Sequence, residues 1–182
     1  MGEPAPAGAS LASSRDPYAG LPFGWYGEVP AFQVRLERDL ARIKGISGPV
    51  TRHLDEHQLR YEVPGLEVPG DLEIHNITIV FWPDHSLARR FGIPACDYPI
   101  VSTDVRRTRK HENSDGTLCL WAAFDPPERR WNHLQGLGTL VEVIRTHLFL
   151  EHHWLMTGGP GRGEWIIPDA PHGPPQARSH AA

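Results

Sequence analysis

A chain of 182 residues with 40% hydrophobic and 22% charged residues can bury one core of ordinary size and needs no covalent staples. Its formal net charge of -4 and pI near 6.2 offer a polyanion no general attraction, which removes nucleic acid from the expected partners. Two cysteines make no disulfide framework, no secretory leader is evident, and no apolar run approaches the roughly 20 residues of a membrane span, so a soluble, cytoplasmic protein with no membrane partner is expected.

Residues 1–20 and 168–182 are rich in Ala, Pro and Gly and are expected to be disordered or flexible tails around one domain at 21–167. Within it, Phe32, Leu36, Leu40 and Ile43 recur at helical spacing, predicting an amphipathic helix from Pro30 to Lys44 with Gly45 at its exit. Leu59, Tyr61 and Val63 then alternate with Arg60 and Glu62 as in a half-buried strand. Pro64-Gly65 and Pro69-Gly70 punctuate the chain before a second strand within 72–82, where Ile77, Ile79 and Phe81 share a face. Pro94 and Pro99 make 91–101 an edge or an extended crossing. The run Arg106-Arg107-Thr108-Arg109-Lys110 reads as a solvated loop, with docking of an acidic protein as the alternative. Far downstream, Leu137, Val141, Ile144, Leu148 and Leu155 outline a long helix, with Thr139 and Glu142 placed as a capping box and Gly158-Gly159 beyond its end. Helix, strands and helix in that order predict an α+β fold, an antiparallel meander packed against helices.

Between the strands and the last helix lies His111-Glu112-Asn113-Ser114-Asp115-Gly116-Thr117-Leu118-Cys119-Leu120-Trp121. Asp115-Gly116 favours a tight turn with positive φ, which would fold His111 to Asn113 back toward Cys119. A thiol can attack an activated carbonyl and hold the acyl group as a thioester, while an amide or backbone N–H stabilises the oxyanion. Cys119 between two leucines could instead be an inert buried strand residue.

This segment resembles the active-site segment of E2 ubiquitin-conjugating enzymes, a His-Pro-Asn tripeptide followed by Gly-x-Ile/Leu-Cys-Leu. Here the tripeptide is His111-Glu112-Asn113, with Glu112 in place of proline and a short interval to Cys119 that looks more like bacterial E2 relatives of anti-phage and ubiquitination-like operons. The resemblance implies a UBC-like fold in which Cys119 carries a ubiquitin-like protein, or another protein C-terminus such as that of a nucleotidyltransferase, as a thioester. It also implies that Asn113 supports the oxyanion and that His111 holds the loop. An E1-like adenylating enzyme would load the thiol, consuming the ATP, so this chain needs no cofactor; the acceptor would be a protein amine, with Asp125 or Glu128 as groups that could orient or deprotonate it. Two other readings are open: a cysteine hydrolase using Cys119 and His111, and a noncatalytic E2-like binding module. A metal is not expected. His147 and Glu151 share a helix face at i, i+4 spacing, but no third ligand accompanies them and no Cys-x-x-Cys is present.

Overall fold

Four short antiparallel strands form one sheet in the order β1 (Thr51–Leu54), β2 (Leu59–Leu66), β3 (His75–Phe81) and β4 (Ile100–Thr103). The computed structural model describes residues 25–167; both expected tails, and 21–24 of the expected domain, lie outside the described residues. On the inward face of the central pair, Leu59, Tyr61 and Val63 sit opposite Phe81, Ile79 and Ile77, and all six are fully buried. Alternation puts Arg60, Glu62, Thr78 and Val80 on the other face, as period-two patterning requires. Helix α1 (Pro30–Glu37) adds Phe32 and Leu36 to the core, and helix α3 (Leu137–Met156) adds Leu137, Leu140, Val141, Ile144 and Leu148. A short helix α2 (Ser86–Arg90) lies between β3 and β4. The fold is α+β, as the element order predicts.

Several boundaries differ from the sequence expectation for physical reasons. The first helix stops at Glu37 instead of Lys44, and a single 3-10 turn at Leu40–Arg42 follows. Asp39 leaves helical geometry (φ -115, ψ 8), and its Oδ1 accepts the backbone N–H of Gly138 at 3.0 Å. The carboxylate thus caps the first turn of α3, where free N–H groups and the helix dipole favour an anion. A Cβ at Gly138 would lie 2.6 Å from Asp39 Oδ2, so glycine there is what admits the cap. The expected Thr139 and Glu142 capping box is accordingly absent: Thr139 Oγ1 donates to Gln135 O at 2.9 Å, and Glu142 pairs with Arg145. Nor do Pro64-Gly65 end β2. Gly65 (φ +59) forms a bulge that shifts the register between Val63 and Leu66, pressed so close to Ser47 that a Cβ would meet its Oγ at 2.1 Å. The segment 91–101 holds a 3-10 turn at Ala95–Asp97 and then the edge strand β4.

The basic run is only partly solvated. The Arg107 side chain, 13% exposed, donates to Asp71 Oδ2 at 2.7 Å, and Arg109, 2% exposed, pairs with Glu151 on α3. Asp71 also meets Nε2 of the fully buried His75 at 3.2 Å. Burial holds the His75 pKa below its ordinary value, outweighing the opposing hydrogen bond that Asp71 accepts. The unfolded chain therefore takes up this proton first, at about pH 6.5, and His75 contributes stability above that value that declines as pH falls through it. Urea midpoints measured from pH 7 to pH 5 are expected to drop, and a His75→Gln variant should flatten part of that slope; an unchanged slope would contradict the assignment.

Candidate active site around Cys119

The loop that carries Cys119 is built by its own turn. Asn113 N donates to Thr117 O at 2.8 Å and Gly116 N to Asn113 O at 2.9 Å, with Gly116 at φ +83, a conformation that suits glycine. Asp115 Oδ1 accepts the N–H and hydroxyl of Thr117 at 3.1 and 2.6 Å, bonds that hold its carboxyl below the usual range. Leu118 N then donates to Val101 O at 2.8 Å, stitching the segment to β4, and Cys119 N donates to His111 O at 3.1 Å. The fold-back expected from Asp115-Gly116 is present. Leu118 is buried, and the next side chain, Cys119, is half-buried.

Cys119 lines a cavity of about 460 Å³ whose wall includes His111, Asp125, His147 and Trp165. The His111 ring packs on Trp165 with centroids 4.5 Å apart, and its centroid lies 6.2 Å from that of His147. His111 and Cys119 are therefore brought together. Asn113 is turned elsewhere: its Nδ2 donates to Thr117 Oγ1 at 3.0 Å and to Leu118 O at 3.3 Å, and it borders a separate cavity of about 30 Å³ beside Tyr98. In this arrangement the amide clamps the turn. Asp125 is on the cavity wall, its Oδ2 accepting Ala122 N at 2.8 Å, whereas Glu128 is exposed in the 3-10 turn Pro127–Arg129.

Burial first, and the Asp125 charge second, push the Cys119 thiol above its ordinary pKa. Cys96 is 1% exposed, and burial pushes its thiol up much further. Its Sγ lies 3.5 Å from His133 Nδ1, which is 2.8 Å from Asp97 Oδ1; that oxygen also accepts His133 N at 2.7 Å. These three potential ligand atoms gather within 4.8 Å, a grouping that sequence spacing did not suggest because His133 comes from a distant turn. Their mutual hydrogen bonds tie that turn to Ala95–Asp97. Iodoacetamide is expected to alkylate Cys119 and spare Cys96 in the folded protein, with a rate that keeps rising beyond the ordinary thiol value near 8.5. Peptide mapping of the labelled chain checks this, and a rate that saturates below neutral pH would contradict it.

His147 and Trp165 are cavity residues that the sequence reading did not connect with Cys119. Local spacing flagged His147 and Glu151 as a pair, but their neighbourhood with the thiol is tertiary. His147 Nε2 lies 3.3 Å from Glu151 Oε1, and Arg109 holds the other carboxylate oxygen. Comparison of the chain with protein-family models, curated proteins and solved structures finds no match.

Proposed function

We propose that the chain is an E2-like acyl carrier, in which Cys119 takes a protein C-terminus from an E1-like adenylating enzyme and passes it to an amine. The observation that carries this reading is the setting of Cys119. The thiol sits on an extended segment stitched to the last strand of an antiparallel sheet, ahead of a long helix, and opens on a cavity. Helix, strands, cysteine segment and helix is also the order that the resemblance to a UBC-like fold implies, which supports this reading.

In the loading step the Cys119 sulfur attacks the E1 thioester, one C–S bond forms as another breaks, and the E1 thiol leaves. Exchange between two thiols is nearly balanced, so accessibility matters more than acidity. A thiol held above its ordinary pKa fits a carrier better than a hydrolase, whose nucleophile is activated by a neighbouring imidazole. In the second step Asp125, on the cavity wall, would orient the incoming amine, and Asn113 would keep the turn in shape. The transferred group would be a ubiquitin-like protein or the C-terminus of a nucleotidyltransferase, in the setting of bacterial anti-phage defence, with ATP consumed by the E1. Among the described residues no helix is long and apolar enough to cross a membrane, and both substrates of the proposed reaction are proteins.

The test combines the purified chain with an E1, the candidate modifier and ATP. A slower-migrating band that reductant removes is the expected result. A chain that never acquires such a band with either modifier class would overturn the reading.

A further inference from the structure

Resting on the carrier reading, we propose that His147 is the catalytic base of the transfer step, taking the proton from the amine that attacks the Cys119 thioester. His147 comes from α3, on the wall of the same cavity as Cys119. Behind it stands Glu151, a fully buried carboxylate one helical turn on, with Oε1 3.3 Å from His147 Nε2. Neither His147 Nε2 nor Glu151 Oε1 has a hydrogen-bond partner of good geometry, and both atoms are buried. Arg109, 2% exposed, holds Glu151 Oε2 and also donates to Val105 O at 2.9 Å, so the carboxylate is fixed in place.

Nε2 faces the Glu151 carboxylate, so Nδ1 is the ring nitrogen left to accept a proton. An oriented imidazole backed by a buried carboxylate is the arrangement that general-base chemistry uses elsewhere. The groups around it are Glu151 and Glu142 on its own helix, Arg109 behind Glu151, His111 on the adjoining loop, and Asp125 and Arg129 across the cavity.

The balance of the step is simple. The amine nitrogen forms a bond to the thioester carbonyl carbon, its surplus proton moves to His147, and the C–S bond breaks to release the Cys119 thiolate. The proton on His147 then returns to that sulfur, leaving an amide and a free thiol.

The experiment separates loading from transfer. The full chain is charged with a glycine-terminated peptide aryl thioester, and the acyl adduct is followed by intact mass. Free lysine or hydroxylamine is then added to the charged protein at neutral pH. His147→Gln should load as the parent does, yet discharge to lysine about 10²-fold more slowly or worse. Hydroxylamine, whose adduct nitrogen is far more acidic than lysine's and gives up its surplus proton to water, should discharge both proteins at similar rates. Free imidazole should restore part of the lysine reaction in His147→Ala, a rescue that no loss of structure would give. Lysine discharge unchanged in a folded His147→Gln protein, or an equal loss with both nucleophiles and no rescue, overturns the proposal. Failure of the parent chain to load would instead count against the carrier reading.

Discussion

Cys119→Ala is expected to abolish the reductant-sensitive adduct, and Cys119→Ser either to abolish it or to convert it into an adduct that reductant leaves intact. An oxygen ester survives thiols that cleave a thioester, so serine reports the chemistry of the bond as well as its site. Neither change disturbs much packing, because the side chain is half-buried beside a cavity; the stability cost should stay within about 1 kcal/mol. Loss of the adduct would therefore be loss of the nucleophile. Cys96→Ser gives the complementary result. It places a hydroxyl in a site 1% exposed, should lower stability by about 1 to 3 kcal/mol, and should leave the adduct in place. Gel mobility with and without reductant, together with urea unfolding of each variant, distinguishes these outcomes.

Glu151→Ala carries the largest expected stability effect. Glu151 is fully buried in α3 and Arg109 nearly so, which means that truncating the carboxylate strands a guanidinium away from water. Breaking a buried pair from one side costs about 3 to 5 kcal/mol, a large part of the 5 to 15 kcal/mol typical of a domain. The paired replacement Arg109→Met with Glu151→Leu removes both charges and should be far milder, since two well-packed apolar side chains avoid the desolvation that the ion pair suffers. Urea midpoints of the single and double variants check the contrast. A loss below about 1 kcal/mol in Glu151→Ala would mean that water reaches the pair.

What the chain discloses before folding is mostly what repeats locally. β2 and β3 alternate cleanly because one face of each is buried, and α3 shows its stripe because five of its residues enter the core. β1 offers no such cue: all four of its residues are exposed, so nothing in Thr51–Leu54 carries a burial period. The early end of α1 was hidden because its cause lies 99 residues away, in the contact between Asp39 and Gly138. Arg107 and Arg109 look like solvated charges in the sequence and are buried because Asp71 and Glu151 wait for them in the fold.

The candidate site divides in the same way. The turn at Asp115-Gly116 and the return of His111 to Cys119 follow from local residue preferences. The arrival of His147 beside the thiol, the Arg109 that holds Glu151 and the packing of Trp165 on His111 depend on which elements meet. Neighbour identity of that kind has no local signature.

The sulfur of Cys119 is the proposed acceptor of the transferred acyl group. The most direct test is to load the chain with E1, modifier and ATP, digest it under conditions that preserve thioesters, and identify the modified residue by mass spectrometry. The acyl mass is expected on the peptide containing Cys119, removable by hydroxylamine and absent when reductant is added first. An acyl mass on Cys96 or on a lysine alone, or an adduct that persists in Cys119→Ala, would contradict it.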